Sequence, residues 1–322
     1  MDSRRRTEVC TYFDSHYLAR GLALYSSLRE HAGDLRLWVL CLDEECLRIL
    51  RALALDGVVP VPLAELEESV PDLLAVKADR TLFEYYCTST PAWLGFVLRR
   101  LHPGDVLLYM DADLFVFAGI DRVYRDLGNG SVLLTPHRFS PADKADEDKG
   151  IYNVGVLAFR NDPSATAALG WWQEACIDWC YFRVEQDRFA EQKYLDRMPE
   201  LFQDIVVSSD RGLAVAPWNR MAVGAVSSES GVLVDQDPMV TYHFHGLRLH
   251  GSRLYEPPYV DNAMEASLRK QIYTPYLRAL ATAEATAKRF TRPSNSGGKR
   301  LPTTTPSYLL RSLVRRRVRI RF

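Results

Sequence analysis

The sequence predicts an α/β protein with a mixed, mainly parallel β-sheet and helices on both of its faces. Over the first 120 residues, short apolar runs of strand length alternate with segments of helical spacing, which is how successive βαβ units read. The run Asp105-Val-Leu-Leu-Tyr-Met-Asp111-Ala-Asp113-Leu-Phe-Val-Phe117 is apolar at nearly every position before its aspartates, as a strand covered on both faces must be. Composition agrees. The 322 residues, 47% hydrophobic and 25% charged, suit one large domain or two small ones with a sizeable core.

Each element follows from its local pattern. Residues 9–13 form a short strand. Residues 17–31 carry Leu18, Leu22, Leu24, Tyr25 and Leu28 at helical spacing and stop near Gly33. Residues 35–42 are a strongly apolar strand, Asp43 is a suitable N-cap, and a helix follows over 44–55. A third strand spans 57–63, where Pro60 and Pro62 point to a sheet edge or a strand end. Residues 81–101 are helical, with Pro91 kinking or restarting the helix, and the strand 106–110 then delivers Asp111 and Asp113. The second half is less regular. It predicts strands over 131–136, 152–159 and 240–244, helices over 165–181 and 188–196, and a long helix over 261–290 with no evident place in the sheet. The polar stretch 140–150 reads as a loop, and 291–306, rich in Pro, Ser, Thr and Gly, as a linker.

Charge is unevenly placed. Residues 285–322 hold eleven Lys and Arg and no acid, so the other 284 residues carry 29 basic against 41 acidic side chains. An acidic body with a basic tail implies a partner specific to the tail. The six cysteines form no C-x-x-C pair and sit mostly in apolar runs, which predicts buried, reduced thiols. No stretch approaches the roughly 20 apolar residues of a membrane helix, and the first residues lack a signal-peptide core, so a cytosolic protein is expected.

The chemistry centres on Asp111 and Asp113. They fall where a strand ends, and ligands of open α/β sheets bind outside the carboxyl ends of the strands. Two carboxylates there suit a hard divalent cation shared with substrate phosphates, the plainer reading being a polar strand end or a turn cap. His243, which follows an apolar strand, is the third candidate ligand, with His245 as its alternative. An imidazole among carboxylates favours Mn²⁺ over Mg²⁺. On its own His243 reads as a core histidine. Asp14, Ser15, His16 and Tyr17 follow the first strand, where a ligand or a helix cap is equally at home. Asn153 begins a strand beside Gly155, and Glu191, Gln192 and Lys193 read on composition as a solvated helix face. There is no G-x-x-x-x-G-K-[ST] loop, no strand followed by G-x-G-x-x-G and no G-x-S-x-G elbow, so a nucleotide must be held through a metal and side chains.

Together these motifs resemble the GT-A-fold glycosyltransferases, a Rossmann-like nucleotide-diphospho-sugar transferase fold, and within them the retaining family 8 type, over roughly residues 7–250. Tyr-Met-Asp111-Ala112-Asp113 is similar to the family's DxD motif, which implies metal and diphosphate binding. Asp14-Ser-His16-Tyr17 matches the loop that holds uracil and ribose. Tyr152-Asn153-Val-Gly155-Val resembles a strand whose Asn contacts the donor sugar, and Glu191-Gln192-Lys193-Tyr-Leu resembles a helix whose acid and Gln lie beside that sugar. His243-Phe-His245-Gly246 resembles the motif that supplies the third metal ligand. Glu191 stands where Asp is usual, and no Lys-Pro-Trp follows Gly246. Arg248 or Arg253 would replace the missing phosphate-binding Lys, and Arg80 would reach the phosphates from before the DxD strand.

The resemblance implies a GT-A domain over 1–260, with a donor half to about residue 120 and an acceptor half beyond it, then the C-terminal helix, linker and tail. It implies transfer of a hexose-type sugar from a UDP-sugar or similar donor to a saccharide or lipid-linked acceptor with retention, using Mn²⁺ or Mg²⁺. The sequence shows no evident nucleophile, which favours front-face transfer with Gln192, Asn153 and Glu191 around the sugar and 140–150 as a lid. The tail over 307–322, Ser-Tyr-Leu-Leu-Arg-Ser-Leu-Val-Arg-Arg-Arg-Val-Arg-Ile-Arg-Phe, interleaves arginines with apolar residues and suits an anionic membrane surface at the inner face. The acidic body offers no basic patch, so no nucleic-acid partner is expected. A nucleotidyltransferase would need a Gly-rich basic loop after the first strand, which is missing at 14–20. A non-enzymatic carbohydrate-binding protein would not need three metal ligands spread over the chain.

Overall fold

A computed structural model describes residues 6–141, 143–250, 254–258 and 264–290, with a further two-residue strand at 319–320. The linker over 291–306 and all of the tail except that strand lie outside the described residues. The first part alternates as expected through β1 (Thr7–Phe13), α1 (Leu18–His31), β2 (Leu35–Cys41), α2 (Glu44–Leu53), β3 (Val58–Pro62), α3 (Leu63–Ser69), α4 (Pro71–Ala75), α5 (Leu82–Leu98) and β4 (Val106–Met110). Next come β5 (Leu114–Val116), α6 (Asp121–Leu127), β6 (Val132–Pro136), β7 (Tyr152–Arg160), α7 (Pro163–Asp178), α8 (Met198–Leu201) and β8 (Ile205–Val207). The remainder holds β9 (Val226–Ser228), β10 (Gly231–Val234), β11 (Asp237–Pro238), β12 (Thr241–His243), β13 (Arg248–His250), β14 (Leu254–Glu256), α9 (Ala266–Lys288) and β15 (Arg319–Ile320).

Seven strands form one sheet in the order β3-β2-β1-β4-β7-β6-β8. All run parallel except β7, which pairs antiparallel with β4 and with β6. The proline-bearing β3 lies at the edge, where a missing N–H costs no ladder bond. Alternation along β4 splits the core in two. Leu107 and Tyr109 join Trp93, Phe96 and Trp172 from α5 and α7 on one face. Val106, Leu108 and Met110 join Leu22, Leu28, Leu47 and Ile49 from α1 and α2 on the other. All six cysteines are free and buried, as expected.

Three elements depart from the sequence reading. Helix α5 does not restart at Pro91 but runs as one helix from Leu82 to Leu98. A capping box of Thr81 and Glu84 starts it, and hydroxyls of Thr88 and Ser89 bond the carbonyls of Glu84 and Tyr85 in the turn before the proline. No helix forms over 188–196. Glu185 and Arg188 close a tight turn instead, and only a 3₁₀ segment, Lys193–Arg197, follows. Buried Phe189, Ala190 and Leu195 are too few to give a helix an apolar stripe. The long C-terminal helix does find a place. α9 lies along α1, with Ala283 and Ala287 in the α1-side core, while Leu268, Tyr273, Tyr276 and Leu280 build a third core with Tyr242 and Phe244.

Gly57 marks a constraint within this frame. Its φ is +73°, and a Cβ there would lie 2.2 Å from the Leu35 carbonyl oxygen. Left-handed strain and a clash with rigid backbone add up. Gly57→Ala is expected to lower stability by about 3 kcal/mol, read as a lower urea midpoint at unchanged m-value. A midpoint equal to the wild type would refute the close approach.

Candidate active site

Strand β4 ends at Met110 and places Asp111 on the carboxyl edge of the sheet. The Asp111 backbone N–H donates to the Gly155 carbonyl at 3.0 Å, and buried Tyr109 donates its hydroxyl to Asp111 Oδ1 at 2.7 Å. The chain turns at Asp113 into β5, which pairs antiparallel with β12 so that Leu114 faces His243. That register brings His243 Nε2 to 2.9 Å from Asp113 Oδ1 and 3.6 Å from Asp111 Oδ2. Ligand atoms of Asp113, His243 and His245 also lie within 4.8 Å of one another. The expected trio therefore comes together, with His245 as a fourth neighbour.

Electrostatics bind the group. Burial pushes the Asp111 carboxyl up, and Asp113 adds to this against the pull of His243 and Tyr109. Burial also acts upward on Asp113, but His243, with His245 and Arg20, outweighs it and holds that carboxyl below its ordinary range. Burial pulls His243 down, while Asp113 and Asp111 outweigh it and raise the imidazole. The raised imidazole sets its Nε2 proton against Asp113 at 2.9 Å, with the Asp111 carboxylate 3.6 Å away. A divalent cation competes with that proton for the same lone pair, because a ligating imidazole must be neutral. Two carboxylates and one imidazole fit Mn²⁺ better than Mg²⁺.

The walls are close. Gly155 has no room for a side chain, since a Cβ would meet Asn153 Oδ1 at 2.6 Å and both Asp111 Oδ2 and His243 Cε1 at 3.1 Å. Asn153 accepts the Gly155 N–H at 2.7 Å, and its Nδ2 lies 3.0 Å from His137 Nε2. The Trp218 ring stands edge-on to His243 and His245 at 5.5 and 5.6 Å. Arg20 sits over the Tyr17 ring at 4.5 Å and donates to the Leu247 carbonyl. Tyr109, His137, Trp218 and Arg20 were missing from the sequence reading. His137 had a usable signal, since it follows β6 at the same edge of the sheet as Asp111 follows β4.

Other predicted residues have partners of their own. Asp14 accepts the N–H groups of His16 and Tyr17, both at 3.0 Å, as a turn cap does, while His16 is exposed. Ligand atoms of Asp14, His16 and Asp43 also cluster, but Asp43 already bonds Ser15 and Cys46. Ala112 packs into the α1-side core. Arg80 turns to the end of α7, over the Tyr181 ring at 4.0 Å and bonded to the Ile177 carbonyl. Gly246 takes a φ of +74° in the turn after β12, and Arg248 is exposed on β13. Arg253 lies outside the described residues. Glu191 and Gln192 are not on a helix face. The Glu191 carboxylate is buried, with Oε2 unpartnered and its pKa raised by burial. The Gln192 amide donates to the Lys149 carbonyl, and Asp196 accepts from Ile151, so both hold the 3₁₀ turn Lys144–Lys149 that replaces the expected loop.

No family model matches the chain. It is 30% identical over 259 residues to the uncharacterised protein YfnD of Bacillus subtilis (strain 168), spanning 80% of this chain and 83% of that protein. It is also 30% identical over 249 residues to the uncharacterised YfnF of the same organism, spanning 74% and 81%. The chain belongs to the family of these two proteins. It also superposes on the galactosyltransferase LgtC, crystallised with donor and acceptor sugar analogues, at a TM-score of 0.53 and 14% identity over 90% of this chain and 98% of LgtC. The chain thus has the GT-A fold.

The crowding at Gly155 can be tested directly. Gly155→Ala is expected to cost about 1–3 kcal/mol of stability and to spread Asp111 from His243, read as a lower urea midpoint and a shifted His243 imidazole signal in NMR. A wild-type midpoint and an unshifted His243 signal would refute this.

Proposed function

We propose that this chain is a metal-dependent glycosyltransferase. In this reading it moves a hexose-type sugar from a nucleoside-diphosphate donor, a UDP-sugar, to a saccharide or lipid-linked acceptor with retention. One observation carries the reading: Asp111 and Asp113, after the end of β4, meet His243 from β12 at 3.6 and 2.9 Å respectively, on the GT-A fold. LgtC, which shares that fold, was crystallised with donor and acceptor sugar analogues.

Asp111, Asp113 and His243 would hold the cation, which would neutralise the charge that develops on the departing diphosphate and orient the donor. The remaining work falls to the chain. Tyr109 fixes the rotamer of Asp111 through its 2.7 Å bond. Trp218 dries one side of the group, which strengthens every charge interaction within it. Tyr17, 44% exposed, offers a ring face to the base, and Arg20 beneath it adds positive charge toward the phosphates. Asn153, Gln192 and the buried Glu191 surround an oxocarbenium-like sugar in a front-face transfer. The turn Lys144–Lys149, tied down by Gln192, acts as the lid that keeps water from the donor.

In this reading the acceptor side works at an anionic membrane surface on the cytoplasmic face. No helix among the described residues is long and apolar enough to cross a membrane. The basic charge of 285–322 supports surface docking, as does a groove of about 450 Å³ on α9. Buried Tyr255, Tyr273 and Leu277 floor this groove, and Arg269, Lys270 and Arg278 rim it. Strand β15 of the tail pairs with β14 beside it.

Two experiments test these proposals. Mn²⁺-dependent release of nucleoside diphosphate across a panel of sugar nucleotides is expected from the wild type. Asp113→Ala is expected to lose about a thousandfold, the several kcal/mol a Lewis acid supplies. Equal turnover by Asp113→Ala would refute the reading, and an inverted product anomer would refute retention. Deleting 307–322 is expected to weaken binding to phosphatidylglycerol vesicles, since each Lys or Arg near such a surface contributes about 1 kcal/mol. Unchanged binding would remove the membrane proposal alone.

A further inference from the structure

We infer that His137 is a positioning residue for this centre: a neutral imidazole whose Nε2 lone pair sets the Asn153 carboxamide and whose carbonyl sets Trp218, so that one residue braces both arms of the Asp111–His243 pair. The inference rests on the metal reading above and adds a residue to it.

Donor and acceptor logic fixes the arrangement. The Gly155 N–H can only donate, so the Asn153 atom 2.7 Å from it is the oxygen, and the amide nitrogen faces His137. An amide nitrogen also only donates. His137 Nε2, 3.0 Å away, must therefore accept, which leaves the ring neutral with its proton on Nδ1. A charged ring would set N–H against N–H, and a flipped carboxamide would break both bonds at once. The ring stacks on Phe139 at 4.5 Å and 11°, so it cannot swing away freely. Burial pushes the imidazole down to about 3, consistent with that neutral state.

From this ring two paths reach the centre. Through Asn153, the Gly155 backbone is pinned where it receives the Asp111 N–H and lies against Asp111 Oδ2. Through its carbonyl, His137 accepts from Trp218 Nε1 at 3.2 Å and Asn219 Nδ2 at 2.8 Å, and Trp218 then walls His243 and His245. The backbone of Gly150 and Ile151 beside the ring favours a proton on Nδ1, which leaves Nε2 as the accepting nitrogen.

Two measurements on the full chain test this. In a long-range ¹H–¹⁵N correlation of ¹⁵N-histidine protein, with the signal assigned by its loss in His137→Gln, the ring is expected as the Nδ1–H tautomer from about pH 5.5 to about pH 8. An Nε2–H tautomer, or a ring that titrates there, overturns the inference. The second follows Mn²⁺ binding by the tryptophan fluorescence it is expected to quench, with the Trp218 share assigned from its loss in Trp218→Phe. His137→Leu is expected to bind Mn²⁺ about ten- to a hundredfold more weakly with its melting temperature kept, whereas His137→Gln, which retains an acceptor, binds as the wild type does. Equal affinity of His137→Leu and wild type, or a Gln variant as weak as Leu, overturns it. A wild type that binds no Mn²⁺ at all defeats the metal reading itself, and this inference with it, and is told apart by the wild-type trace alone.

Discussion

The 2.9 Å contact between Asp113 and His243 joins two parts of the chain that the large sheet would leave independent. Asp113 belongs to the turn after β4, inside the α/β layer. His243 belongs to β12, whose neighbours are α9 and the small strands of the C-terminal part. The register of β5 against β12 decides whether they meet, and a slip of one residue would send His243 to the opposite face. Packing on both sides prevents that slip. Leu114 and Val116 sit in the α1-side core, while Phe115 and Tyr242 sit in the α9 core, so each neighbour in β5 is committed to its own side.

The first half of the fold was legible because each of its elements is locally determined. Leu18 through Leu28 repeat at helical spacing, Asp43 caps α2 by accepting from Cys46, and Pro60 and Pro62 mark an edge that β3 does occupy. The misreadings lie where long-range contacts decide. Pro91 does not break α5 because the helix from Cys87 to Leu98 is buried, and its packing outweighs one missing hydrogen bond. Residues 188–196 look charged enough for a surface helix, but Glu185–Arg188 and the bonds of Gln192 and Asp196 hold them as turns.

The candidate site divides the same way. Asp111, Asp113 and His243 were readable because carboxylates inside an apolar run and an imidazole beside a glycine are chemically conspicuous. His137, Trp218 and Arg20 were not, since an isolated His, Trp or Arg in sequence is ordinary and acquires its meaning only from what the fold sets against it. Asn153 and Gly155 were readable together at a strand start, but their partner His137 was not.

The β5–β12 pairing also orders events in time. Residues 111 and 113 leave the ribosome well over a hundred residues before residue 243, and the parallel ladders around β1 and β4 need nothing from the C-terminal third. A growing chain can therefore build its nucleotide-type sheet while its acidic pair still lacks an imidazole. The contact between Asp113 and His243 then arrives as a late, long-range step of high contact order, when the last third docks. A half-made chain lacks the completed cluster, and its closure reports that the last part of the protein has found the first.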